Sequence, residues 1–213
     1  MDLFGFQPED NERNLLPYQG KVNYFGPVLS SDEADESYQH LLSLIEWQRD
    51  QAILSGKGVE GKKVTTKRKY AWYADQPYKY TYSQVTREAK PWIPELLSLK
   101  SKVEALSGDQ FNACLLNLYH DGSETMAWHS DAEKQLKENA TVASLSLGAE
   151  RKFSFKHKQT KETVSLQLQH GSLLLMKGVT QKHWLHRLPQ STKVTEPRIN
   201  LTFRLMNTAR NQF

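Results

Sequence analysis

A histidine and an aspartate separated by one residue, in His129-Ser130-Asp131, form the first candidate site. On a strand or at its end, these two side chains point to the same side, because side chains alternate with a period of two. An imidazole and a carboxylate placed in this way can bind one metal ion. A distant histidine then completes the two-histidine, one-carboxylate triad of non-haem Fe(II) oxygenases. Short His-x-Asp strings are also common in surface loops, so the string alone is equally consistent with an ordinary surface loop that binds no metal.

The third metal ligand has two candidates, His183 and His186. In an extended segment these two residues face opposite sides, so at most one of them faces the interior. The spacing does not choose between them. A half-buried strand edge with neither histidine in a site is the alternative.

Strict alternation predicts a strand at 198–205 with one apolar and one polar face, and the polar face carries Arg198, Asn200, Thr202 and Arg204. A solvated outer face is the simpler interpretation. Two arginines beside Asn and Thr also suit a barrel interior that binds a small dianion, since arginine offers carboxylates a bidentate fork. A second alternating segment places Asn117 and Tyr119 on one face, where both can donate hydrogen bonds to an anion.

A run of basic residues followed by a run of aromatic residues is the last candidate. The basic residues are Lys57, Lys62, Lys63, Lys67, Arg68 and Lys69, and the aromatic ones are Tyr70, Trp72, Tyr73, Tyr78, Tyr80 and Tyr82. Cations bind phosphates, and aromatic faces stack on bases. The alternative is a solvated loop beside a hairpin with ordinary cross-strand aromatics. Because the two signals adjoin, the pattern favours nucleic acid.

The elements that must position these residues are two helices followed by many short strands. Ser30 and Glu33 form a capping box for the first helix, and a second is predicted from Pro94 to about Ser107, ended by Gly108. The predicted strands are 111–119, 141–147, 151–156, 163–169, 172–177 and 198–206. Since no helical pattern separates them, the order predicts an antiparallel sandwich or barrel rather than a parallel sheet.

Length and composition set the wider limits. The 213 residues and 24.6 kDa fit one domain, with a loosely ordered arm at 1–17 and a single domain at 18–213. The helices and the basic and aromatic runs occupy about 18–110, and the strand core occupies 111–206. A net charge of +4 is weak support for a polyanionic partner, and a single cysteine excludes a disulfide scaffold within the chain. There is no apolar run of about 18 residues and no visible secretory signal.

In this order the segments resemble the AlkB family of Fe(II)- and 2-oxoglutarate-dependent dioxygenases, over residues 15–206. The stretches that carry the resemblance are Asn117-Leu118-Tyr119, Trp128-His129-Ser130-Asp131, Ala143-Ser144-Leu145-Ser146-Leu147-Gly148, His170-Gly171-Ser172-Leu173-Leu174, His183-Trp184-Leu185-His186-Arg187-Leu188-Pro189 and Pro197-Arg198-Ile199-Asn200-Leu201-Thr202-Phe203-Arg204. The resemblance implies a mostly β fold: a double-stranded β-helix (jelly-roll) core with N-terminal helices and a nucleotide-recognition hairpin extension.

The resemblance also implies the roles of the candidate residues. It places Fe(II) on His129, Asp131 and His186. It places the co-substrate 2-oxoglutarate against Asn117, Tyr119, Arg198, Asn200 and Arg204. In this arrangement Arg204 pairs with the distal carboxylate, and Arg198 and Asn200 lie near the end of the ligand that chelates iron.

On the substrate side, the resemblance implies a lid over the damaged base, formed by Tyr80, Thr81 and Tyr82. Tyr82 and the His129 ring are then the two stacking faces. Arg68 and Lys69 then contact a backbone phosphate, and Glu133 contacts the exocyclic amine of the base. Glu60 stands where a duplex-acting member carries a bulky apolar residue, which favours single strands.

The implied activity is oxidative demethylation of N-alkylated nucleobases, 1-methyladenine and 3-methylcytosine, in DNA or RNA. It consumes O2, decarboxylates 2-oxoglutarate to succinate and releases formaldehyde. The alternative is an oxygenase of the same fold that hydroxylates a protein or a small molecule. We expect an intracellular monomer with no membrane attachment, in the cytoplasm, or in the nucleus if the organism is eukaryotic.

Overall fold

The computed structural model describes residues 13–53, 63–82 and 85–207, which form three helices and thirteen strands. Their order is β1 (Lys21–Pro27), α1 (Ser31–Leu44), β2 (Gln48–Ile53), β3 (Lys63–Ala74), β4 (Lys79–Tyr82), β5 (Val85–Glu88), α2 (Pro94–Ser107), β6 (Ala113–Tyr119), β7 (Met126–His129), β8 (Val142–Gly148), β9 (Arg151–His157), β10 (Thr163–Leu168), β11 (Ser172–Lys177), α3 (Thr180–His183), β12 (Trp184–Leu188) and β13 (Arg198–Arg204).

Two antiparallel sheets and a separate hairpin make up the strand core. The larger sheet has the order β1-β11-β8-β13-β6-β3-β2, the smaller one has the order β10-β9-β12-β7, and β4 pairs with β5. From β6 to β13 the chain passes back and forth between the two sheets, four strands in each. This is the double-stranded β-helix, so the predicted jelly-roll core is confirmed, and the hairpin extension is present as the β4–β5 pair.

The polar face of β13 lies inside the barrel, between the two sheets. Its apolar face, with Ile199, Leu201 and Phe203, packs in the same core cluster as Leu41 of α1 and Leu96 of α2. The helices therefore cover the outer side of the larger sheet. The solvated outer face considered for the polar side chains is wrong, since Arg198 is only 2% exposed.

The predicted helix boundaries are confirmed. In α1, the Glu33 N–H donates to Ser30 Oγ and the Ser30 N–H donates to Glu33 Oε2, which completes the capping box. Helix α2 begins at Pro94, and Gly108 ends it in the left-handed region with φ 73°. The apolar residues of α2 that repeat at helical spacing face the core except for Leu106, which is exposed; the buried residues are Leu96, Leu99, Val103 and Ser107.

Two short strands that are absent from the predicted set carry the two histidines of the candidate metal site. Strand β12 pairs with both β7 and β9, and His186 lies directly opposite His129. The segment before β12 forms the single turn α3. These pairings attach both histidines to the smaller sheet.

Leu15 and Leu16 pack against the barrel core, in contrast to the loose arm expected at 1–17. Leu16 is 3% exposed, and the Asn14 side chain accepts from the Val22 N–H at 2.8 Å. Residues 1–12 and Glu60 lie outside the described residues. Within the described part of the chain, no helix is long and apolar enough to cross a membrane.

Candidate metal centre and anion pocket

Two histidines and an aspartate meet at the mouth of the barrel. His129 ends β7, His186 lies opposite it on β12, and Asp131 follows two residues after β7. One ligand atom from each residue lies within 4.8 Å of the others. This is the cluster that the resemblance predicted, and two imidazoles plus one carboxylate suit Fe(II) with coordination positions left open.

Each of the two imidazoles offers one ring nitrogen to the cluster. The His129 Nδ1–H donates to the Ala127 carbonyl at 2.8 Å, which leaves the Nε2 lone pair for a metal ion. His186 stacks on Phe153 at 5.5 Å between ring centroids. Burial, with the neighbouring His129 charge, lowers the pKa of His186 to about 3. At neutral pH the residues present therefore fit an Fe(II) ion.

Asp131 is buried and held from two sides. Arg204 Nη2 donates to Asp131 Oδ1 at 2.8 Å, and the Asp131 backbone N–H donates to Gln181 Oε1 at 2.9 Å. Burial favours the neutral acid, but the charge of Arg204 and its hydrogen bond outweigh this effect and hold the pKa of Asp131 below its usual value. The carboxylate is thus an anionic ligand in a fixed orientation.

The structure decides between the two candidate histidines. His183 ends α3 and stacks on His157, with ring centroids 6.4 Å apart, outside the triad. The other described histidines near the barrel also lie outside the triad and have polar partners: His120 contacts Glu124, His157 contacts Gln19 and His170 contacts Asp35.

A pocket inside the barrel leads from the triad to a buried guanidinium. Its lining includes the triad and the five predicted 2-oxoglutarate residues, Asn117, Tyr119, Arg198, Asn200 and Arg204. Arg198 donates through Nη2 to Ser146 Oγ at 2.9 Å and to Asn200 Oδ1 at 2.8 Å, while its Nε has no partner. Among the described residues, no carboxylate pairs with it. Burial lowers the pKa of Arg198 to about 10, so it remains a cation.

The other pocket residues surround this cation. Across the β13–β6 ladder, Arg198 lies opposite Tyr119 and Asn200 lies opposite Asn117. The Arg198 guanidinium lies 5.7 Å from the centre of the Tyr119 ring. Asn200 is internally bonded, since its Nδ2 donates to Thr202 Oγ1 at 2.8 Å. The pocket therefore offers a fixed positive charge and polar groups to a small anion.

The two arginines of β13 lie in the opposite order to the one expected. Arg204 contacts Asp131 and so lies at the metal-ligand end, whereas Arg198 lies six residues away, about 20 Å along the strand. The expected pairing of Arg204 with the distal carboxylate of 2-oxoglutarate therefore does not fit this geometry. Arg198 is the residue at the far end of the pocket.

Arg151 is a buried arginine beside the pocket residue Tyr119 that the sequence analysis missed. It is 1% exposed, lies 6.0 Å from the Tyr119 ring centre, and donates to the backbone carbonyls of Asp121, Gly122, Glu124 and Pro189. The signal was present in the alternation of 151–157. Arg151 lies on the same face of the strand as Phe153 and Phe155, and an arginine on the apolar face of a strand indicates a buried guanidinium.

The predicted substrate contacts are brought together only in part. Arg68 is half-buried, and its Nη1 donates to Met126 Sδ at 3.2 Å; its predicted phosphate contact stays a prediction. Lys69 is half-buried on β3. Glu133 is half-buried and lines a cleft with Asp131 and Arg204. The backbone of Tyr80–Tyr82 lies in the β4–β5 hairpin, with side chains outside the described part.

Comparison with known proteins gives the same class. A family model described as the 2OG-Fe(II) oxygenase superfamily matches residues 21–204. The solved structure of OsALKBH1 aligns with a TM-score of 0.60 over 89% of this chain and 98% of that chain, at 17% identity, which supports the fold alone. The fold and the site thus define a jelly-roll oxygenase.

Relatives with higher identity narrow the class. The DNA oxidative demethylase ALKBH2 of Bos taurus is 42% identical over 180 residues, 81% of this chain and 64% of that protein. The human ALKBH2 is 41% identical over 81% of this chain and 68% of its own length. The alpha-ketoglutarate-dependent dioxygenase alkB homolog 3 of Bos taurus is 39% identical over 81% of this chain and 61% of its length. The chain spans less than two thirds of the two bovine relatives.

The chain therefore belongs to the AlkB family of the 2OG-Fe(II) oxygenase superfamily. Membership implies Fe(II), 2-oxoglutarate and O2 as the reactants that the site must accommodate.

Proposed function

We propose that this protein removes methyl groups oxidatively from N-alkylated nucleobases in DNA, with 1-methyladenine and 3-methylcytosine as substrates. The observation that carries the proposal is the His129, Asp131 and His186 cluster at the mouth of a pocket that ends on a buried cation, Arg198, with no carboxylate partner among the described residues. The relatives named DNA oxidative demethylase support the choice of substrate.

In this proposal His129, Asp131 and His186 hold Fe(II), which together with 2-oxoglutarate and O2 supplies the oxidation of the methyl group. Arg198 binds the distal carboxylate of 2-oxoglutarate, since it is a buried guanidinium without a carboxylate partner in the described residues. Tyr119 and Asn117 line the path between the two ends of the ligand. Arg204 holds Asp131 in one orientation.

The half-exposed ring of His129 and the Glu133 side chain lie on the outer side of the centre, where a base removed from its stack can arrive. A lesion that blocks base pairing lowers the cost of extruding the base, which itself contributes selectivity. Lys67 and Lys69 on β3 supply attraction to any phosphate backbone. We place the reaction in the compartment that holds DNA, the cytoplasm or, in a eukaryote, the nucleus, and we propose a monomer as the active form.

The test is mass spectrometry of methylated single-stranded DNA, double-stranded DNA and RNA after incubation with the protein, Fe(II), ascorbate and 2-oxoglutarate. We expect loss of the methyl group from DNA with matching amounts of succinate and formaldehyde, and no loss with Asp131→Ala. If no nucleic acid loses its methyl group while 2-oxoglutarate is consumed, the proposed substrate is wrong. Faster turnover of RNA than of DNA would reassign the substrate within the same chemistry.

A further inference from the structure

Asp131 lies just outside the β ladder that holds its neighbour. Strand β7 ends at His129, and its last paired residue is His129 itself, opposite His186. Ser130 and Asp131 are in no strand. The sheet therefore fixes the two histidines directly, whereas the direction of the Asp131 backbone depends on other contacts.

The side chain of Gln181 makes the contact that orients this backbone. Gln181 is buried, and its Oε1 accepts the Asp131 N–H at 2.9 Å while its Nε2 contacts Met176 Sδ at 3.4 Å. The preceding residue anchors the turn: Thr180 is 1% exposed, and its Oγ1 accepts the Lys21 N–H at 2.9 Å. Both ends of the Gln181 amide are therefore held by hydrogen bonds, and its backbone is anchored through the neighbouring Thr180.

Lys158 joins the same two segments from the β9–β10 turn. Its Nζ donates to the Gln181 carbonyl at 2.8 Å and to Ser130 Oγ at 3.1 Å. One ammonium group thus ties α3 to the residue between His129 and Asp131. Together with the Gln181 amide, it closes a small network around the segment that carries the carboxylate.

We propose that Gln181 and Lys158 are positioning residues that aim the Asp131 carboxylate and thereby set the metal affinity of the site. The inference rests on the proposed role of Asp131 as a metal ligand. Groups that orient metal ligands without touching the metal typically contribute about 10- to 100-fold in metal affinity or activity. Removing the acceptor from Gln181 also leaves the buried Asp131 N–H without this partner, which favours rotation of the Asp131 backbone away from its present direction.

The experiment is calorimetric titration of metal-free protein with Mn²⁺, in the absence of 2-oxoglutarate. Gln181→Met keeps the size of the side chain but has no amide acceptor, and we expect its Mn²⁺ affinity to fall about 10- to 100-fold. Gln181→Glu keeps an acceptor and should retain most of the affinity. Gln169→Met is the matched control, because Gln169 accepts from the Tyr24 hydroxyl at 3.2 Å in the β10–β11 turn, outside the pocket. Its Mn²⁺ affinity should not change.

Two further measurements separate positioning from general damage. The absorption spectrum of bound Co²⁺ should change in Gln181→Met but not in Gln169→Met, because only the first alters ligand geometry. Lys158→Met should also weaken Mn²⁺ binding, and the double variant should lose less than the sum of the two single losses, since both act on one segment. If Gln181→Met does not fold, Lys158→Met and Gln181→Glu carry the test.

Asp131→Ala, titrated in parallel, keeps the two proposals distinguishable. If Asp131→Ala binds Mn²⁺ as the wild type does, the metal assignment itself is wrong. If Asp131→Ala loses Mn²⁺ while Gln181→Met and Lys158→Met keep the wild-type affinity and Co²⁺ spectrum, the positioning role is overturned and the metal site stands.

Discussion

Replacing Arg198 with methionine tests the anion pocket most directly. Burial lowers its pKa from the ordinary 12.5 to about 10. At about 1.4 kcal/mol per pKa unit, the protein carries this charge at a cost of about 3 kcal/mol. A bound carboxylate offsets that cost, and truncating one partner of a buried charge pair typically costs about 2–5 kcal/mol. At about 1.4 kcal/mol per factor of ten, we expect the affinity for 2-oxoglutarate to fall roughly 30-fold to several thousand-fold.

The assay is a titration of Mn²⁺-loaded protein with two ligands, 2-oxoglutarate and 2-oxopentanoate, which ends in a methyl group where 2-oxoglutarate has its distal carboxylate. The wild type should bind 2-oxoglutarate far more tightly. Arg198→Met should bind both ligands with similar, weak affinity, because only the distal carboxylate needs the guanidinium. Arg204→Met is the control, since Arg204 lies beside Asp131 and its loss should weaken both ligands by a similar factor.

An equal loss for both ligands in Arg198→Met would refute the reasoning, because the distal carboxylate would then be bound elsewhere. Stability gives a second check. Removing a buried cation that has no carboxylate partner should leave the metal-free protein as stable as the wild type, or more stable, in urea. A strongly destabilised Arg198→Met would mean that the hydrogen bonds to Ser146 and Asn200 hold the fold rather than the ligand.

The remaining predictions concern the metal centre. His129→Ala should abolish succinate release in a folded protein, whereas His183→Ala should be far milder than His186→Ala; the reverse ranking would contradict the triad. The stability of the metal-free protein should fall as the pH drops from 6.5 towards 3, because unfolded His186 takes up a proton that the folded residue, with a pKa of about 3, does not. The loss is about 2 kcal/mol at pH 5, at about 1.4 kcal/mol per pKa unit. Urea unfolding across this window measures it, and an equal slope in His186→Gln would disprove the cause.

Much of this fold follows from local patterns. The capping box at Ser30 and Glu33 and the αL position at Gly108 set helix ends that the structure reproduces. Strict alternation in 198–204 identified a strand with two unlike faces. The alternation could not say which face was solvated, because that depends on the helices that cover the larger sheet.

The contacts that could not be predicted from the sequence join segments that are distant in the chain. Strands β7 and β12 are short, and their pairing rests on each other and on β9 rather than on a strong pattern of their own. Gln181 gains its role only because α3 places it beside Asp131, fifty residues earlier in the chain. A polar residue in a short turn has no local signal for such a contact. Arg151 differs, because its place on an apolar strand face was visible.

The order of the two arginines could have been derived from topology, although not from alternation. Strand β8 starts after the Asp131 segment and runs away from it, and β13 is antiparallel to β8, with Phe203 opposite Ala143 and Arg198 opposite Gly148. The C-terminal end of β13 must therefore return to the metal ligands. The loop after Asp131 follows the same course, since the Lys137 N–H donates to the Leu205 carbonyl at 2.8 Å. This topology places Arg204, at the end of β13, beside Asp131 and leaves Arg198, at its start, at the opposite end of the strand.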